Sequence, residues 1–130
     1  MLLLDTDIFI DIFRGYGPAL RWLQSLGEEE IAIPGFVAME LLDGCENSTE
    51  TRRLLENLSG VRIFWPSGES CDSALTTFSK VKLSHRISIF DALIGYCALG
   101  LNLPLYTFNQ KHFKAIPGLK TIQPYSKSRS

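Results

Sequence analysis

Short apolar runs alternating with helix-patterned segments are what most constrain the fold of this chain. The first run, Leu2-Leu3-Leu4, is closed at once by Asp5. A second covers residues 30–33 and meets Pro34, and a third covers residues 61–65 and meets Pro66. Residues 104–107 and 119–122 supply two more. Helical patterns fill the intervals. One runs from Thr6 to the break at Gly15-Tyr16-Gly17-Pro18, and the next covers residues 18–26, with Gly27 as a stop. Others cover residues 36–42, 48–58, 69–83 and 88–101, with Gly60, Gly100 and Asn102 as end signals. Residues 110–113 read as a short turn or helix. The alternation predicts an α/β domain with a mostly parallel central sheet flanked by helices.

At 130 residues a single domain is expected, over residues 1–125, with a frayed polar tail over residues 126–130. With 45% hydrophobic and 21% charged residues, the composition excludes a disordered chain or a collagen. The 3 cysteines, Cys45, Cys71 and Cys97, are an odd set without CxxC or zinc spacing. Reduced thiols and a cytoplasmic location are the expectation. The apolar start before Asp5 is too short for a secretory signal, and no run approaches the roughly 20 residues that span a bilayer.

The formal net charge of −1 gives no reason by itself to expect a nucleic-acid partner, but it hides a gradient. Residues 1–72 hold 13 acidic and 5 basic side chains, and residues 73–130 hold 1 and 8. The lone acid of the second part is Asp91. Such asymmetry suits an acidic site beside a basic surface, or simply two differently charged solvated faces.

Most carboxylates sit in polar surroundings, but three lie inside apolar runs: Asp5, Glu40 within Phe36-Val37-Ala38-Met39-Glu40-Leu41-Leu42, and Asp91 within Ile89-Phe90-Asp91-Ala92-Leu93-Ile94. A buried carboxylate without a partner is costly. Each has a local explanation. Asp5 can cap the helix that follows it, Glu40 can face solvent, and Ser88-Ile89-Phe90-Asp91 matches a capping box. All three nevertheless fall at ends of strands or in adjoining helices, where α/β folds place ligands. Grouped carboxylate oxygens suit a hard divalent ion such as Mg²⁺, which would activate water for phosphoryl displacement. There is no GxSxG, P-loop or GxGxxG to suggest other chemistry.

The segments LLLDTDIFIDIFRG, VAMELLDG, FDALIGYCALGLNLPLYTFNQKHF and IPGLK, in that order, resemble a PIN domain of the VapC toxin type. The resemblance implies a Mg²⁺- or Mn²⁺-dependent endoribonuclease, usually a homodimer, that is neutralised by a small VapB-like antitoxin. It carries the acidic, metal-binding site onto Asp5, Glu40 and Asp91. Thr6 and Asp7 match the residues after the first acid, and Thr107 matches a hydroxyl that orients it. Many relatives carry a fourth acid after the last core strand. Here Thr107-Phe108-Asn109-Gln110-Lys111-His112-Phe113 has none, which leaves Asn109 as first candidate and His112 as second. Arg14, Arg86, Lys111, His112 and Lys114 are candidate RNA contacts, with Lys80 and Lys82 on the same track. Arg14 fits equally well as the cation at a helix C-terminus. Phe9, Ile10, Ile12 and Phe13 form an apolar stripe whose surplus over core packing would suit a dimer or antitoxin groove. Two alternatives remain at this stage. One is a catalytically silent PIN scaffold that binds RNA or protein. The other is a receiver-like regulatory domain, which lacks its phospho-accepting Asp in residues 61–66 and does not explain Glu40.

Overall fold

In a computed structural model that describes residues 1–127, Leu3 and Leu4 are completely buried at the centre of a five-stranded sheet. Their strand, β1 (Leu2–Leu4), pairs with β2 (Ile31–Pro34) on one side and β4 (Leu105–Tyr106) on the other. The edges are β3 (Arg62–Phe64) beside β2 and β5 (Thr121–Ile122) beside β4. The order is β3-β2-β1-β4-β5 and every pairing is parallel, as the alternation of strands with helices predicts. The helices are α1 (Thr6–Phe13), α2 (Gly17–Ser25), α3 (Gly35–Asp43), α4 (Ser48–Leu58), α5 (Gly68–Val81), α6 (Ile89–Leu101) and α7 (Gln110–Phe113). None of the described residues forms a helix long and apolar enough to cross a membrane.

The strands are shorter than the apolar runs. Trp65 precedes Pro66, which has no N–H for a ladder, and β3 ends at Phe64. Pro34 closes β2 and starts α3. α6 ends on Asn102, which takes the left-handed conformation (φ 56°) that asparagine tolerates better than most residues. The cysteines are free thiols. The last three residues of the tail expected over residues 126–130 lie outside the described residues. Lys127, expected to be loose, is instead held by Asp11 at 2.9 Å and lies over the Phe108 ring.

Strand order decides where a ligand can sit. From β1 the chain moves to β2 and β3 on one side, and later crosses to β4 on the other. The order therefore reverses between β1 and β4, and the carboxyl ends of those strands open a crevice. Asp5 follows β1 and Thr107 follows β4. A receiver domain has its reversal elsewhere, in the order 2-1-3-4-5, so this topology removes the receiver-like alternative.

The sheet centre also sets the stability. Leu105 is 0% exposed between β1 and β5. Leu105→Ala should lower unfolding free energy by about 2–5 kcal/mol through lost burial and a residual cavity. Urea denaturation should show a lower midpoint with an unchanged m-value.

Candidate active site

Asp5 is 3% exposed and acts as N-cap of α1. One carboxylate oxygen accepts from the Thr6 amide at 2.8 Å, and the other accepts from the Thr107 hydroxyl at 2.8 Å. The Thr107 hydroxyl accepts from the Asn109 amide at 2.9 Å, which directs its own proton to Asp5. The Asp5 amide donates to the Tyr106 carbonyl and the Thr107 amide to the Ile122 carbonyl, both at 2.9 Å. These bonds continue the ladder past the strand ends.

The first turn of α1 ties in two further segments. Thr6 Oγ1 donates to Glu40 of α3 at 2.9 Å. Asp7 accepts from the Phe108 amide at 2.9 Å and from the Ile8 amide at 2.8 Å. Asp91 enters from the N-terminus of α6. Its amide bonds Ser88 Oγ and its carboxylate accepts from the Ser88 amide, so the predicted capping box is present. His112 Nδ1 of α7 lies 3.7 Å from the same Asp91 oxygen, close enough to pair when protonated.

Charge accumulates here without compensation. Burial, followed by the charges of Asp7 and Asp91, raises the Asp5 pKa from 3.8 to about 7, against the lowering bonds from Thr107 and Thr6. Glu40 is raised by burial and by Asp91 and Asp7, although Thr6 lowers it. Asp7 is raised mainly by burial and lowered by its two amide donors and by Lys127. Among the described residues no lysine or arginine forms an ion pair with Asp5, Asp7 or Glu40. The donor set is oxygen, anionic and short of positive charge, which fits a hard divalent cation. No three His, Cys, Asp or Glu side chains among the described residues stand close enough to hold an ion by themselves. A cation that keeps much of its water, as Mg²⁺ does, suits such an open arrangement.

The other predicted residues distribute unevenly. Asn109 is exposed and contributes its amide to Thr107, while its side chain makes no hydrogen bond among the described residues. His112, second choice from sequence, has the side-chain contact with an acid of the site. Lys111 and Lys114 are exposed on and just beyond α7, and Arg86 is exposed in the segment leading into α6. Arg14 is the C-cap residue of α1, as its helix-end reading requires, and it also lines a groove with Glu40 and Arg53. Ile10 and Phe13 of the apolar stripe line that groove too. Phe9 is buried and Ile12 packs against the core. Arg53, Asp11, Tyr125 and Lys127 carry no signal in sequence spacing. The Tyr125 hydroxyl donates to Asp11 at 2.6 Å, which ties the segment after β5 to α1.

The PIN domain family model matches residues 2–119. The chain belongs to the PIN domain family. Among solved structures, this PIN domain is similar to a toxin–antitoxin complex from Klebsiella pneumoniae, with 29% identity over 98% of this chain and 100% of that one, at a TM-score of 0.76. VapBC2 from Rickettsia felis, bound to a DNA fragment from its promoter, matches at 25% identity over 93% and 96% of the two chains, with a TM-score of 0.77. VapBC-1 from nontypeable Haemophilus influenzae matches at 25% over 93% and 96%, with a TM-score of 0.74. The VapC-type resemblance read from the sequence is thereby borne out. No curated protein sequence matches this PIN domain.

The raised acid of this PIN domain makes its metal-free stability depend on pH. The folded pKa of Asp5, about 7, lies above its unfolded value of 3.8. Between about pH 4 and pH 7 the folded state keeps a proton that the unfolded chain has released, so stability falls as pH rises through that window. Above it the penalty is complete. Urea titrations in EDTA should show this decline in the wild type and a shallower one in Asp5→Asn. An identical slope in both proteins would contradict the assigned environment of Asp5.

Proposed function

We propose that this PIN domain is a Mg²⁺- or Mn²⁺-dependent endoribonuclease and the toxin of a toxin–antitoxin pair. The observation that carries this reading is a buried Asp5 beside the charges of Asp7 and Asp91, with Glu40 tied in through Thr6, and with no lysine or arginine among the described residues ion-paired to Asp5 or Glu40. In this reading Asp5, Glu40 and Asp91 are the ligands. A divalent ion bound there would supply positive charge opposite a phosphate and a more acidic water for hydrolysis. Thr107 and Thr6 fix the Asp5 and Glu40 carboxylates toward the crevice, and Asp7 anchors the Phe108 backbone beside them. Asn109 faces solvent at the mouth, where its amide oxygen or nitrogen can meet water or phosphate. His112 Nδ1 stands 3.7 Å from Asp91 and can pair with it when protonated. Arg14, Arg86, Lys111 and Lys114 supply the attraction for the RNA backbone, which predicts marked salt dependence. In-line attack by water leaves a 5′-phosphate and a 3′-hydroxyl, as the family resemblance implies.

The named solved relatives are toxin–antitoxin and VapBC complexes, which supports a small cognate antitoxin as partner. A homodimer, a single domain over residues 1–125 and a cytoplasmic location complete the reading. EDTA should abolish RNA cleavage, and Mg²⁺ or Mn²⁺ should restore it. Asp5→Asn and Asp91→Asn should each reduce cleavage on the order of 100-fold or more in metal-replete buffer. Undiminished cleavage by both variants would remove the assignment. A protein that binds RNA and never cleaves it would instead be a silent scaffold.

A further inference from the structure

Three aromatic rings adjoin the acids and do no work in the steps above. Phe36 lies one turn before Glu40 on the same side of α3, and Phe90 immediately precedes Asp91 in the first turn of α6. Their ring centroids are 6.0 Å apart, so the pair bridges the two helices that carry those acids. Trp65, just past β3, meets Phe36 edge-on at 5.3 Å. Phe36 packs against the core, whereas Trp65 is 55% and Phe90 37% exposed. A Cβ at position 35 would collide with the Trp65 ring, so Gly35 is what lets the indole lie flat on the start of α3. The rings are thus seated from beneath while apolar surface is left open to solvent.

The surroundings indicate what covers that surface. The segment entering α6 contains Lys82, His85 and Arg86 and no acid. Basic side chains beside exposed aromatic faces are the combination that binds single-stranded nucleic acid, since every base has a π-face and every nucleotide a phosphate. A second copy seated symmetrically on the same patch would bring its own Glu40 and Asp91 toward the first copy's, which adds like charge.

We propose that Trp65, supported by Phe36 and Phe90, stacks on a nucleobase next to the phosphate held at Asp5, Glu40 and Asp91. This rests on the ribonuclease reading above. Stacking on duplex RNA is blocked because its bases already stack on one another and present only edges and backbone.

The test is steady-state cleavage of a short single-stranded RNA oligonucleotide in Mg²⁺ by the full chain. Trp65→Ala should raise KM about tenfold with little change in kcat, and Trp65→Phe should restore most of the loss. Trp65→Leu keeps apolar bulk without a π-face and should behave like Trp65→Ala, which separates stacking from a folding defect. An oligonucleotide series with one abasic position at a time should reveal one position costly to the wild type and nearly neutral to Trp65→Ala. Cleavage with unchanged KM in Trp65→Ala and Trp65→Leu would overturn the platform and leave the ribonuclease reading standing. Sedimentation equilibrium showing that Trp65→Ala halves the mass, with no abasic position distinguished by the wild type, would assign the patch to a second copy and overturn it too. A wild type that cleaves no RNA would remove both readings.

Discussion

The bond between Thr107 and Asp5 holds this site together. It is made between wholly or almost wholly buried groups that are 102 residues apart in sequence. A carboxylate at 3% exposure must have donors, and the structure supplies one from the start of α1 and one from the end of β4. The Asn109 amide then fixes the direction of the Thr107 hydroxyl, so the surrounding loop is committed as well. Asp7 repeats the pattern with Phe108. The strand ends are therefore locked by side chains where their backbone ladder stops.

This locking leaves negative charge unresolved. Thr6 positions Glu40, and the capping box positions Asp91, but hydrogen bonds offset only part of the burial penalty and mutual repulsion. The cluster keeps negative charge that its hydrogen bonds do not neutralise. Asp91 shows that a local structural role and a place in the acidic cluster are compatible. The capping bonds hold its backbone and one carboxylate edge while its charge still acts on Asp5 and Glu40.

The fold was largely legible because its central strands are buried and read as short apolar runs between helical patterns. Leu2–Leu4 and the run into Pro34 were readable for that reason, and the capping box at Ser88 was readable from four residues. The acids stood out because Asp5, Glu40 and Asp91 interrupt apolar surroundings. Long-range partners left no local trace. Nothing near Thr107 in the chain announces that it meets Asp5, and nothing in a polar tail announces that Lys127 settles on Asp11 and Phe108. The sequence ranks Asn109 before His112, but where each side chain goes depends on which way a single short helix turns. α7 brings His112 toward Asp91, while Asn109 remains at the exposed N-cap. Trp65 was read as strand, and its displacement onto Gly35 follows from the proline after it and the missing Cβ beneath it.

The parallel pairing of β1 with β4 also has a consequence for synthesis. Asp5 emerges from the ribosome 102 residues before its hydroxyl partner Thr107. Until β4 has been made and has slotted in beside β1, the crevice has only one wall. The candidate site is thus completed only after the whole stretch from Asp5 to Thr107 has been made.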